Sequence, residues 1–205
     1  MKTRSMEFFN ILPLISFIII AIAIISRILY LRSKGVLVTS KKTETPAYQL
    51  LVYPVFGLLL LLWMLQLIKI AFHLPFNILP SWLQERVILS GFLSITVFII
   101  IIISLALLVL SLIHFKESLR FGLDSNNQGK LITSGVFAIS RNPFFSSVNL
   151  YFTGLACLWP SLFFILMAVL SIFSIHLFIL KEEKFLKKYY DDDYMNYANN
   201  VRRYL

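Results

Sequence analysis

The sequence predicts an all-α integral membrane protein with about five transmembrane helices, a C-terminal helical hairpin and a cytoplasmic tail. Three observations carry this. Apolar residues make up 59% of the 205-residue chain and mean hydropathy is +0.82, whereas a soluble domain is closer to half apolar. The apolar residues fall in long runs, and a membrane span needs about 20 of them. The charges sit between those runs and after the last one. Lipid offers the backbone no hydrogen-bond partners, so each run must be a helix.

The first span runs roughly from Phe8 to Tyr30. The opening "MKTRSMEFFNILPL" has the charge and apolarity of a signal peptide, but no small-residue cleavage site follows and apolar character resumes past Arg27. It therefore reads as an uncleaved transmembrane helix. The second span is roughly Tyr48 to Phe72, with Pro54 and Gly57 as kink points that neighbouring helices can accommodate. The third runs from Val87 to about Phe115. Its 29 residues carry no formal charge and would make a helix of about 43 Å, so it must tilt or project beyond a hydrocarbon core of about 30 Å. The isoleucine run 99–103 favours a strand in water, but an open strand in lipid leaves its backbone unsatisfied, so a helix is expected. Two shorter segments, roughly Phe144 to Leu158 and Ser161 to Leu180, are separated by Trp159-Pro160 and form a tight hairpin. A charged tail, "KEEKFLKKYYDDDYMNYANNVRRYL", follows.

The whole chain is a single transmembrane domain, with three N-terminal spans in 8–115 and a loop, hairpin and tail in 116–205. The net charge of +9 does not point to nucleic acid, because the basic residues cluster beside apolar segments as in loops facing anionic lipid. Loop one (Arg32, Lys34, Lys41, Lys42), loop three (Lys116, Arg120, Lys130, Arg141) and the tail are basic, whereas the second loop has only Arg86. The positive-inside rule then puts Lys34, Asn126 and Tyr204 on the cytoplasmic side, and Asn77 and the N-terminus outside. In a prokaryote the membrane would be the inner, cytoplasmic one. Cys157 is the single cysteine, which excludes an intramolecular disulfide and a cysteine-based metal cluster. The three histidines lie far apart in sequence and form no metal motif. Nothing in the pattern sets an oligomeric state.

The hairpin decides where chemistry can gather. Its antiparallel legs bring Arg141 and Asn142 near Glu182 and Glu183, although about 40 residues separate them. Donors then face carboxylates at the cytoplasmic surface. Taken alone, Arg141-Asn142-Pro143 is explained by a helix start with Pro143 at its first position, an Asn142 cap and a snorkelling arginine. Taken alone, Glu182-Glu183 is a solvated juxtamembrane pair.

Together, "LITSGVFAISRNPFF", the hairpin and "EEKFLKKYYDDDYMNY" resemble the isoprenylcysteine carboxyl methyltransferase family, membrane enzymes also similar to phospholipid methyltransferases. Leu131, Thr133, Gly135, Arg141 and Pro143 match that family's first motif. Glu182, Glu183 and Leu186 match its second, and Tyr194 and Tyr197 its tyrosine pair. The resemblance covers about the last 90 residues. It implies S-adenosylmethionine as methyl donor. It nominates Lys130, Leu131, Ile132, Phe137, Asn142, Pro143, Phe145 and Glu182 as cofactor-binding, and Arg141, Glu183 and His176 as catalytic. The chemistry is compatible: an adenine wants apolar walls, and a ribose or ammonium wants a carboxylate acceptor. A sulfonium methyl is already activated, so the enzyme works by alignment and exclusion of water, with no metal required.

The departures bear on the acceptor. Asn142 stands where the family has histidine. Phe137 and Phe145 replace tyrosines, Asp191 replaces a glycine, and Phe178 takes the place of an arginine one turn before the glutamates. His176 is the ionisable residue nearest that position, and a packed interfacial role is open to it as well. The expected partners are the bilayer and an amphiphilic or prenylated acceptor, with no nucleic acid. The rival readings are a phospholipid N-methyltransferase, a nicotinamide-dependent sterol reductase, disfavoured by the few loop arginines, and a catalytically degenerate binding or assembly protein.

Overall fold

The computed structural model describes residues 2–36, 47–85, 91–119 and 129–205. Within them the regular structure is helical. The helices are α1 (Lys2–Ser33), α2 (Ala47–Phe72), the single turn α3 (Ser81–Gln84), α4 (Gly91–His114), α5 (Pro143–Leu158) and α6 (Leu162–Asn200). Among the described residues α1, α2, α4 and α6 are long and apolar enough to cross a membrane, and α5 is a shorter apolar helix. The expected spans lie within these helices. The third is described as helix over 24 residues, about 36 Å, because Val87 to Ser90 lie outside the described residues and the helix ends at His114, one residue before Phe115. So do Asn126 and the loop cations Lys41, Lys42, Arg86 and Arg120.

The tail after Leu180 is helical. α6, 39 residues in all, continues through it to Asn200 and kinks at Asp191. The charge-free apolar part of α6 ends at Leu180, and charges recur every one to three residues from Lys181 to Asp193.

The packing explains the order of the helices. α5 lies along α4, and Gly154 makes this close approach possible: a Cβ there would come within 3.0 Å of Ile101 Cγ1. α6 then returns antiparallel to α5 after Trp159–Ser161, with the Ser161 amide donating to the Trp159 carbonyl (2.8 Å). The core centres on Trp63 of α2, fully buried. Its ring meets Phe152 at 4.6 Å and Phe164 at 4.9 Å. Leu67, Ile101 and Leu155 complete the contact between helices. Burying a side chain of this size removes about 1.5–3 kcal/mol worth of apolar surface from water in a soluble protein. Between helices in lipid, close packing replaces that term. The outer faces are apolar as well: Ile15, Ile18, Ile22, Ile25 and Leu29 form an exposed stripe on α1.

The two ends of the bundle differ. At one end Asn10 on α1 meets His73 after α2 (2.9 Å), and Lys69 donates to the Asn77 side chain (2.6 Å) and to Gln84. At the other, Lys34 and Glu117 approach to 3.6 Å. A second buried cluster there joins Leu31, Leu108, Leu112, Leu119 and Phe144. This second end also receives the start of α5 and the charged half of α6.

Candidate active site

One side of the site is built by the segment before α5. A 3₁₀ turn, Gly135–Ala138, opens at φ +66, where glycine carries no steric cost. A methyl group there would also overlap the His114 ring, which is held by its own bond to the Leu110 carbonyl (2.8 Å). Phe137 is buried, its ring 4.8 Å from Phe115. The chain then extends through Ser140, which forms an isolated parallel bridge with Arg202. The Arg141 amide donates to the Arg202 carbonyl (2.8 Å), and the fully buried Ser140 hydroxyl donates to the Arg203 carbonyl (3.4 Å).

Pro143 occupies the first turn of α5, as expected. Asn142 stands at the N-cap position, but its side chain makes no capping bond. Instead its Nδ2 donates to the Arg203 carbonyl (3.1 Å). The side chain that should cap the helix is drawn off by the returning C-terminus.

α6 supplies the other side. Glu182 and Glu183 are consecutive, so they point about 100° apart on the helix. Glu183 accepts a forked contact from Arg203, with Nη2 to Oε2 at 2.8 Å and Nε to the two oxygens at 3.1 and 3.0 Å. Arg141 Nη2 lies 3.2 Å from its Oε1. The Glu183 and Arg141 side chains are both 13% exposed, and Arg203 is 38% exposed. Arg141 also donates to the Ala198 carbonyl (3.3 Å). Glu183 is therefore the hub of a two-arginine cluster.

Glu182 makes no hydrogen bond or ion pair among the described residues. Burial, and secondarily the Glu183 charge, push its carboxyl up to about 7. A carboxyl held there without a cation favours a ligand that brings positive charge or hydrogen-bond donors.

Past the kink, the Tyr197 hydroxyl donates to the Phe137 carbonyl (2.6 Å). Before it, the Tyr190 hydroxyl donates to the Gly129 carbonyl. The kink lets one helix hold both ends of the 129–142 segment. Asp191 itself has φ 44 and ψ −119, close to the first central position of a type II′ turn, a place glycine dominates.

These pieces enclose a cleft of about 820 Å³, its open mouth included. Lys130, Leu131, Ile132, Phe137, Asn142, Pro143, Phe145 and Glu182 line it, as does Arg141. Glu183 is not among its lining residues, and neither is His176, whose Nδ1 pairs with the Tyr204 hydroxyl. Phe178 packs on Phe145, ring centroids 5.4 Å apart. Sequence reasoning missed Phe185, Leu186 and Tyr190 as cleft residues. They follow Glu182 by three, four and eight positions, a spacing that places them on its helix face. Arg203 was missed without any local signal, since its partner lies 20 residues away.

Residues 92–193, just under half of the chain, match the family model of the phospholipid methyltransferases. No curated protein and no solved structure matches the chain. The match covers α4, α5 and most of α6. Together with the apolar helices it supports an integral membrane methyltransferase, a class that typically uses S-adenosylmethionine.

Proposed function

We propose that the chain transfers a methyl group from S-adenosylmethionine to an amphiphile whose head group reaches the cleft from the membrane surface. The observation that carries this reading is the cleft itself. It joins the 130–145 segment to one face of α6 and combines aromatic walls with an unpaired carboxyl. Those residues fit the cofactor. Phe137, Phe145 and Phe185 offer apolar walls for an adenine, and Glu182 offers an acceptor for hydroxyl or ammonium donors. Bound there, the cofactor supplies a methyl group already activated on sulfur.

What the chain contributes is position and dryness. The Arg141–Glu183–Arg203 cluster ties the 140–142 segment to α6, which fixes the two walls relative to each other. Phe115, Phe144 and Leu186 exclude water from the interior of the cleft. Alignment of this kind supplies much of the acceleration for a transfer between two bound groups.

The arginine cluster also bears on the acceptor. A carboxylate acceptor in a low-dielectric pocket needs a cationic partner. Phe178 packs against Phe145 instead of supplying one, and the two nearby guanidiniums, of Arg141 and Arg203, are both turned toward Glu183; of their buried nitrogens only the Arg141 Nε is left unpartnered among the described residues. This favours an amine, thiol or hydroxyl head group over a prenylcysteine carboxylate. A phospholipid amine is the second reading, favoured by the family match. The cleft would face the cytoplasm, so that cysteines replacing Lys34 and Asn77 in a Cys157→Ser background label from opposite sides.

The decisive experiment is titration of the purified, detergent-solubilised protein with S-adenosylmethionine. Binding is expected, and Glu182→Ala should weaken it about ten- to a hundredfold, the equivalent of one charge-assisted hydrogen bond. Absence of binding to the wild-type protein would overturn the reading. Labelled cofactor offered with N-acetyl-farnesylcysteine or with membrane lipid extract then separates the acceptors. Saturable transfer to the prenylcysteine alone would refute the assignment of head group.

A further inference from the structure

A second groove lies between α1 and α4 at the same end of the bundle. Ala23, Ser26, Arg27 and Tyr30 form one wall and Val109, Leu112 and Ile113 the other. It shares no lining residue with the cleft, and Leu112 of the groove and Phe144 of the cleft pack in one buried cluster. It holds about 670 Å³, its open mouth included. Ile22, Leu110 and Ile113 around it are well exposed, so the groove opens onto the surface that lipid covers.

Arg27 is its anomaly. It interrupts the apolar run of α1, where a charge is costly unless something compensates it. Its Nη2 donates to the Lys116 carbonyl, but its Nε has no partner, and no carboxylate pairs with it among the described residues. The guanidinium lies 5.3 Å from the Tyr30 ring centroid, and Lys34 Nζ lies 5.1 Å from the same ring. Lys34 has the Glu117 carboxylate 3.6 Å away, whereas Arg27 has no carboxylate at that range among the described residues. Among the described residues the Arg27 guanidinium therefore stands without a counter-charge at the end of an apolar channel. At 1.5 Å per residue Arg27 stands about 10 Å deeper along α1 than Lys34.

We infer that this groove binds an anionic phospholipid of the surrounding leaflet, its phosphate at Arg27 and an acyl chain along Ala23, Val109 and Ile113. A soluble anion would satisfy the guanidinium and leave the apolar walls uncovered. A zwitterionic lipid would fill the walls but bring its own cation to a site already rich in them. The phosphate supplies the acceptor that the Lys116 carbonyl cannot, since a carbonyl carries no net charge. The site would hold a structural lipid against the two helices that flank the cleft end of the bundle.

The test uses the full-length protein reconstituted into bilayers of equal parts phosphatidylcholine and phosphatidylglycerol. It is then released for native mass spectrometry, with retained lipids counted. Wild type should retain phosphatidylglycerol over phosphatidylcholine by about tenfold, as one charge-assisted hydrogen bond implies. Arg27→Gln should bring the ratio to parity. Ala23→Leu, which fills the groove and leaves the charge in place, should lower retention of phosphatidylglycerol, and it keeps the proposal testable where Arg27→Gln does not fold. Equal retention of both lipids by wild type would overturn the proposal, and so would a preference that survives both substitutions. Removal of the preference by free glycerol phosphate would assign the groove to a soluble anion and overturn it too.

Discussion

Replacing Asp191 with glycine should stabilise this protein. Asp191 has φ 44 and ψ −119 inside an otherwise continuous α6. A residue with a Cβ held in so sparsely populated a region costs about 1–3 kcal/mol. Glycine adopts it freely, although it gives back roughly 0.5–1 kcal/mol through the greater freedom of the unfolded chain. The expected net gain for Asp191→Gly is therefore about 0.5–2 kcal/mol. Electrostatics offers a competing account, because Asp191 is exposed and heads a run of three aspartates, so any neutral residue would relieve repulsion. Asp191→Ala separates the two, since it removes the charge and keeps the Cβ. Reversible unfolding in mixed detergent micelles should show Asp191→Gly more stable than wild type and Asp191→Ala within about 0.5 kcal/mol of it. If the alanine variant gains as much as the glycine variant, backbone strain is not the cause and the reasoning from the kink fails.

Glu183→Gln should cost about 3–5 kcal/mol of unfolding free energy, because Arg141, only 13% exposed, would lose its counter-charge. Arg203→Gln should cost closer to 1 kcal/mol, since that guanidinium is partly solvated and the Arg141–Glu183 pair survives; equal losses in the same unfolding assay would contradict the hub assignment. Cofactor affinity should fall as the pH drops through about 7, where the Glu182 carboxyl takes up its proton, and calorimetric titration of Glu182→Gln should show a flat profile. The sign for folding is opposite: with its carboxyl raised in the folded state, Glu182 penalises the empty protein increasingly as pH rises from its ordinary value of 4.5 through about 7. Glu182→Gln should therefore reduce the loss of thermal stability between pH 4.5 and about 7. Gly135→Ala should lower stability by more than 1 kcal/mol, partly restored by His114→Ala, since the methyl group meets that ring; a lack of rescue would leave φ alone responsible.

The cleft was legible in sequence to the extent that its residues lie in two local segments. Leu131 to Phe145 sit on one continuous turn and helix start, and the hairpin at Trp159 forces that turn against the residues after Leu180. Glu182 and its face-mates follow from helical spacing. The resemblance gave Glu182 to the cofactor and Glu183 to catalysis, but residue chemistry and helical spacing do not separate the two. The two are neighbours with the same chemistry, and only their angular positions send one toward the cleft and the other toward two arginines. Asn142 likewise has the residue type of a cap, but a carbonyl 61 residues away competes for its amide.

The sequence by itself determined that this chain is helical and spans a membrane, because lipid leaves a charge-free run of apolar residues no other way to satisfy its backbone. It also determined where the hairpin closes and which end of it is polar. Only the tertiary structure decided that the charged tail continues as a helix, bends at Asp191 and returns residues 198–203 against Ser140–Asn142. That return depends on hydrogen bonds between segments about 60 residues apart, which no local propensity encodes. The pairing of Arg203 with Glu183 has the same origin, since it forms only after the kink has turned the chain back on itself.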